Sequence, residues 1–286
     1  GSSGLSGLMA IAAQGGVTRV RLTGGEPLVH PHVVEIVQRI ASMRGIEEVS
    51  LTTNAMLLER LAQPLAAAGL KRVNISLDSL DADKFKRITR GGELDRVWRG
   101  IAAAAAAQCA PLKLNTVIVR GLNAAELPAF TRLTVEHAWH VRFIEVMPIG
   151  NTQDWGTGFP APGERYISVQ EMRADLSTFN LQPETAPVGN GPARTFRIPG
   201  ALGTIGFISP LSEHFCQSCN RLRLTSDGKL RSCLVIPNEV SLRDAVRSGQ
   251  PLEKYFFHAI ANKPEHHDML VAVPASSQRG MSQIGG

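Results

Sequence analysis

The sequence predicts an α/β fold, a parallel sheet layered with helices as an open sheet or a barrel, followed by a smaller α+β region. Three observations predict it. Short β-rich runs alternate with helical stretches from residue 17 to about residue 150, the pattern of repeated βαβ units. Beyond residue 150 that alternation breaks into a Gly/Pro/Thr-rich loop and mixed short strands. A chain of 286 residues, 43% hydrophobic and 19% charged, is globular and long enough to bury a sizeable core.

Taken in order, residues 1–16 open with GSSGLSG and read as a flexible leader or the cut edge of a longer chain; they lack the basic and apolar stretches of a signal peptide. The core region, 17–150, begins with a strand at 17–23 (VTRVRLT) that ends in Gly-Gly, then a helix over 32–43. A second strand at 48–53 (EVSLTT) precedes a helix at 57–68 closed by Gly69, and 71–77 (KRVNISL) forms a third strand. Asp81 caps a helix beginning DADKF, a longer helix fills 94–108, and 112–119 (LKLNTVIV) is the fourth strand. A helix at 127–136 leads to the fifth strand at 141–146 (VRFIEV). In the C-terminal region, 151–286, a loop at 151–163 precedes short strands at 194–198, 204–209, 221–225 and 229–232, with Asp227-Gly228 as a hairpin turn.

Net charge is +5, with the basic residues dispersed and no Lys/Arg block, which favours an anionic small ligand over nucleic acid. No apolar run reaches the length of a membrane span; the longest, 101–107, is alanine-rich. No membrane or nucleic-acid partner is therefore expected, and cytoplasm is the default location.

Chemistry-bearing residues concentrate at strand ends, where parallel α/β folds gather their reactive groups. Residues 21–28 (RLTGGEPL) put adjacent glycines after a strand, so that a ligand can lie against the backbone, and Glu26 beside them offers a carboxylate to a cation; a tight turn explains Gly-Gly alone. Thr52, Thr53 and Asn54, and then Ser76, Asp78 and Ser79, place small hydroxyl and amide groups at the next two strand ends, to bond ligand oxygens or to cap helices. Lys113 and Asn115 share one face of the fourth strand; a lysine in so apolar a run must snorkel to water or meet an anion, and Arg142 poses the same choice.

Three of the four cysteines cluster: Cys216 and Cys219 form a CxxC, and Cys233 follows after thirteen residues. This grouping points to metal rather than disulfides, either zinc completed by His214 or an iron–sulfur cluster with one iron open. Arg221 and Arg223 alternate beside it, two guanidinium forks suited to phosphate or guanine oxygens, with Leu222 and Leu224 expected to form the opposite, buried face.

The string RLTGGEPL resembles the GGEP motif of radical S-adenosylmethionine (SAM) enzymes. With TTN, NxSLDS, the LKLN strand, CxxC-x13-C containing RLRLT and a terminal Gly-Gly, the chain after residue 17 is similar to the GTP 3′,8-cyclase family of molybdenum-cofactor biosynthesis. The resemblance implies an incomplete (β/α) TIM-like barrel of the radical SAM type with a C-terminal α+β cluster-binding region. It assigns SAM binding to Gly24, Gly25, Glu26, Ser76 and Met147, and GTP binding to Arg21, Thr52, Lys113, Arg142, Arg221 and Arg223. Cys216, Cys219 and Cys233 would hold a 4Fe–4S cluster whose open iron meets guanine, and the tail 279–286 would reach toward the site. The implied activity is that of a lyase: a 5′-deoxyadenosyl radical takes the ribose C3′ hydrogen of GTP, and C3′ joins guanine C8 to give 3′,8-cyclo-7,8-dihydro-GTP. A homodimer, and cyclic pyranopterin monophosphate synthase as the next enzyme, are also implied.

Two departures from the family stand out. Ala55 occupies the position of a usual glycine, and no CxxxCxxC for the radical-generating N-terminal 4Fe–4S cluster is present; the remaining Cys109 reads as a core residue. No catalytic residue is assigned, and the expectation is an N-terminally truncated chain with no turnover of its own. Alternatives are an inactive paralogue binding nucleotide with one iron–sulfur or zinc site, and another radical SAM enzyme with an auxiliary cluster.

Overall fold

The computed structural model of the 286-residue chain describes residues 2–149, 155–184, 191–266 and 280–284. Its main sheet has eight strands: β1 (Arg19–Leu22), β2 (Glu48–Thr53), β3 (Leu70–Ser76), β4 (Lys113–Ile118), β5 (His140–Glu145), β6 (Gln182–Pro183), β7 (Arg194–Arg197) and β8 (Thr204–Ile208). β1 to β5 lie side by side in parallel, β8 pairs parallel with β5, and β7 and β6 continue the sheet antiparallel. The helices between the parallel strands are α2 (Val33–Ala41), α3 (Leu58–Ala67), α4 (Ala82–Ile88), α5 (Leu94–Ala106) and α6 (Leu127–Glu136), preceded by α1 (Ser2–Gln14). One face of the sheet supplies Val49, Leu51, Val73, Ile75, Leu114, Val141, Phe143, Ile205 and Phe207 to a single core with Val37, Ile40, Leu58, Leu65, Val97, Ile101 and Phe130 of the helices. This is an incomplete α/β barrel, with its helices on one face and the other free for a ligand.

Local chemistry explains the element ends. Gly69 takes φ +101 after α3, a conformation that suits a residue without Cβ. Asp81 accepts from the Lys84 N–H at 2.7 Å to start α4. After β5, Ser168 and Glu171 form a capping box that starts α7 (Val169–Asp175).

A second layer carries the cysteines. β9 (Arg223–Leu224), β10 (Lys229–Arg231) and β11 (Glu239–Ser241) form a three-stranded antiparallel sheet, joined by α8 (Leu242–Arg247), α9 (Leu252–Ala261) and later α10 (Met281–Ile284). Its own small core is Leu8, Ala12, Leu230, Leu242, Phe256 and Ala259.

Three expectations are corrected. The leader at 1–16, expected to be flexible, holds a helix at Ser2–Gln14, because Leu8 and Ala12 find a core against α9 and β10. The boundary at 150 does not divide the sheet, since β8 is its sixth parallel strand and β7 and β6 extend it. The strand expected at 221–225 shrinks to Arg223–Leu224, and Leu224 is 39% exposed, so Leu222 and Leu224 do not form a common buried face. Residues 151–154 of the expected loop, and Arg279 and Gly285-Gly286 of the expected tail, lie outside the described residues.

Candidate functional site

Side chains alternate along a strand, so the residues that skip the core line the opposite face. They are Arg21 on β1, Ser50 and Thr52 on β2, Arg72, Asn74 and Ser76 on β3, Lys113 and Asn115 on β4, and His140 and Arg142 on β5. Register sets them in rows: Arg21 opposite Ser50, Ser50 opposite Arg72, Asn74 opposite Lys113, and Asn115 opposite Arg142. Gly206 on β8 makes room for Arg142, because a Cβ there would stand 3.2 Å from Arg142 Cγ and 3.1 Å from Ala193 Cβ.

The result is a cationic floor. Lys113 is 1% exposed, and burial, then the charges of Arg142, Arg72 and Arg21, bring its pKa down to about 6. Burial and the same neighbours hold Arg142 at about 9. Arg21, open to solvent on one side, falls to about 10 through desolvation and the charges of Arg72 and Arg221. His140, bonded to Thr204 Oγ1 at 2.6 Å, is held at about 4 by burial and then by Lys113 and Arg142. The acid opposing these charges is Glu48, 2.6 Å from Arg72 Nη2. Arg72 Nε and Asn115 Oδ1 are buried without a hydrogen-bond partner, as groups are that await a ligand. Snorkelling of Lys113 is thereby overturned: the side chain is enclosed among like charges, an arrangement that a bound polyanion stabilises.

The carboxyl edge of the sheet holds the other predicted residues. Gly24 takes φ +137, and a Cβ on Gly24 or Gly25 would meet nothing within 4 Å, so the loop backbone is open on that side. Glu26 is not a lone carboxylate awaiting a cation. Its Oε1 accepts from Thr53 Oγ1 at 2.7 Å and Leu28 N at 3.0 Å, and its Oε2 accepts from Asn54 N at 2.7 Å. It fastens the glycine loop to the end of β2 instead. Ala55, at φ +62, adopts the conformation that glycine prefers. Ser76 is exposed at the end of β3, Thr52 is half-buried on β2, and Met147 is half-buried just past β5. Asp78 and Ser79 serve the scaffold. Asp78, raised to about 6 by desolvation, accepts from Val117 N at 2.8 Å, and Ser79 bonds Glu126, which also holds Lys84 at 2.6 Å.

Cys216 and Cys219 occupy one tight turn, with Cys219 N donating to Cys216 O at 3.0 Å, and Cys233 follows β10. Burial raises the Cys219 pKa, but the Arg221 N–H and the charges of Arg221 and Lys263 outweigh it, so the thiol is drawn toward thiolate. Arg223, held at about 10 by burial and then by Arg221, feels both Cys219 and Cys233. The donors suit an iron–sulfur cluster: three soft sulfurs, with Arg221, Arg223 and Lys263 nearby to balance its charge. Among the described residues no three His, Cys, Asp or Glu side chains are grouped to hold a metal as the chain lies. Arg221 stacks over Phe215 at 5.1 Å, and its charge reaches Arg21, so the cysteine layer meets the cationic floor. Cys109 is fully buried before β4, in the core.

Sequence reasoning missed Arg72, Glu48, Glu145 and Lys263. Arg72 carried a signal, since it lies two and four residues before Asn74 and Ser76 and so shares their face. Glu145 is fully buried, accepting from Val169 N, Leu211 N, Ser212 N, Ser212 Oγ and Tyr166 OH, and nothing local in VRFIEV announces those partners.

Comparisons with known proteins bear on this arrangement. Residues 6–134 match the Radical SAM superfamily, and residues 139–269 match Molybdenum Cofactor Synthesis C. A GTP 3′,8-cyclase of Heliobacterium modesticaldum is 48% identical over 98% of this chain and 85% of its own length. Another, of Moorella thermoacetica, is 47% identical over the same shares. The crystal structure of Streptococcus suis SuiB bound to S-adenosylmethionine covers 90% of this chain and 60% of its own, with TM-score 0.57 and 13% identity, a likeness of fold alone. No helix among the described residues is long and apolar enough to cross a membrane.

Proposed function

The chain belongs to the GTP 3′,8-cyclase family of radical SAM enzymes, and we propose that it takes GTP triphosphate-first onto the cationic floor. The observation that carries this reading is the row of Arg21, Arg72, Lys113 and Arg142 on one face of the sheet, with the charge of Arg221 reaching both Arg21 and Arg223. Positive charges outnumber Glu48 on this floor, a triphosphate offsets the excess, and guanidinium forks bind phosphate oxygens in pairs. With the phosphates on the floor, the base extends toward Arg221, Arg223 and the cysteines. Thr52 faces the nucleotide from β2.

SAM lies at the carboxyl edge of the sheet, its amino-acid end against the Gly24–Gly25 backbone and its adenine beside Met147, with Ser76 near the ribose. Glu26 holds that loop in place and keeps one acceptor site on Oε2 for the ligand. Cys216, Cys219 and Cys233 hold a 4Fe–4S cluster. Loaded, the family's enzyme draws on SAM and its reducing cluster for the radical that opens the C3′–H bond of GTP, and on the second cluster for an open iron. The chain's own contribution is positioning: the floor fixes the triphosphate, and so the ribose and C8, while burial keeps water from Lys113 and Arg142.

These 286 residues hold no CxxxCxxC. For these residues we propose GTP binding and one cluster; SAM cleavage needs a further set of cluster ligands that they do not supply. Cytoplasmic location, a homodimer and hand-over of product to cyclic pyranopterin monophosphate synthase complete the proposal.

Anaerobic reconstitution with iron and sulfide, followed by reduction in the presence of SAM and GTP, tests it. About four irons per chain and no 5′-deoxyadenosine are expected. Zinc in place of iron, or SAM cleavage on reduction, contradicts the assignment.

A further inference from the structure

Lys263 stands at a place that neither the ligand-binding floor nor the cysteines account for. It follows α9, whose Phe256 and Ala259 are anchored in the small core with Leu8, Ala12, Leu230 and Leu242. From there its ammonium donates to Arg221 O at 2.9 Å and to Ser232 O at 2.6 Å. Arg221 lies two residues after Cys219, and Ser232 immediately precedes Cys233. One half-buried side chain therefore ties the CxxC segment to the Cys233 segment, 42 and 31 residues away in sequence respectively.

Backbone pairing of β9 with β10 sets Arg223 against Arg231, and Lys263 adds a side-chain tie nearer the cysteines themselves. The Arg231 side chain bonds within its own segment, donating from Nε to Cys233 O at 3.4 Å and from Nη2 to Leu234 O at 3.1 Å while pairing with Glu239 at 3.1 Å. On the reading that the three cysteines hold a 4Fe–4S cluster, we propose that Lys263 is a positioning residue which sets the spacing between the CxxC turn and Cys233 and so governs loading of that cluster. Its positive charge also balances the anionic cluster, one of the levers that sets a cluster's reduction potential. α9 thereby couples the small core to the metal site.

The test compares native chain, Lys263→Met and Lys263→Arg after the same anaerobic reconstitution. Native chain should load about four irons, Lys263→Met fewer than about one, and Lys263→Arg should recover to within about twofold of native. Whatever cluster Lys263→Met retains should show a changed electron-paramagnetic-resonance spectrum and a more negative potential, neither of which a purely structural role moves. If Lys263→Met melts below the assay temperature, Lys263→Gln, with one donor group in place of an ammonium, replaces it and should load to an intermediate level. Equal loading and an unchanged spectrum in the Met or Gln variant overturn the role of Lys263 alone. A native chain that takes up no iron overturns the cluster reading and this proposal together.

Discussion

Thr53 donates its hydroxyl to Glu26 Oε1 at 2.7 Å across 27 residues of sequence, while the next residue's N–H reaches Oε2 at 2.7 Å. The carboxylate thus works as a clasp between the glycine loop and β2. Glu26→Gln keeps an acceptor for Thr53 but turns an amide donor against the Asn54 N–H. A loss of about 1–3 kcal/mol in stability is expected, read by urea denaturation. SAM affinity, read by equilibrium dialysis, should weaken by about tenfold or more, as when a supporting partner of a binding site is lost. Unchanged SAM affinity would mean that the clasp does not shape the SAM site.

Lys113 gives a pH signature. Its free-state pKa of about 6 leaves it mostly neutral above neutral pH, whereas a triphosphate alongside favours the charged form and raises that pKa toward the ordinary 10.5. Binding between pH 7 and 9 should therefore take up close to one proton, and affinity should fall as pH rises through this window. Calorimetry in two buffers of different ionisation heat measures the uptake, and Lys113→Met should abolish it. Equal proton uptake by the variant would assign the proton to another group.

Gly15 sits under α9, where an added Cβ would come within 2.7 Å of Phe256 Cε1. Gly15→Ala should push the ring and α9 outward, at a cost of about 1–3 kcal/mol, typical of overpacking. Because α9 carries Lys263, the same substitution should lower iron loading while GTP affinity stays near native. Thermal melts, iron analysis and GTP titration on one preparation check all three.

Much of the main sheet is legible in the sequence, because β2 to β5 combine apolar runs with turn residues whose chemistry is local. Gly69 and Asp81 end and start helices by their own backbone and side-chain properties. The helix at Ser2–Gln14 is not legible: its start is rich in Gly and Ser, poor helix formers, and tertiary burial of Leu8 and Ala12 decides its conformation. The strand at Thr204–Ile208 is legible, but its place as the sixth parallel strand is not, since nothing local says that it returns to β5. Of the site, the motif-bearing residues stand out in sequence. Arg72 is readable only once alternation on β3 is applied, and Glu26 and Glu145 reveal their roles only through donors from distant segments.

The central claim is that GTP binds through its triphosphate on the floor of Arg142, Lys113, Arg72 and Arg21. Titrating the chain with GTP, GDP and GMP under one set of salt conditions tests it most directly. Affinity should fall by about tenfold or more with each phosphate removed, in keeping with charge-assisted phosphate bonds worth about 1.5–3 kcal/mol each. Equal affinity for GMP and GTP would contradict the account.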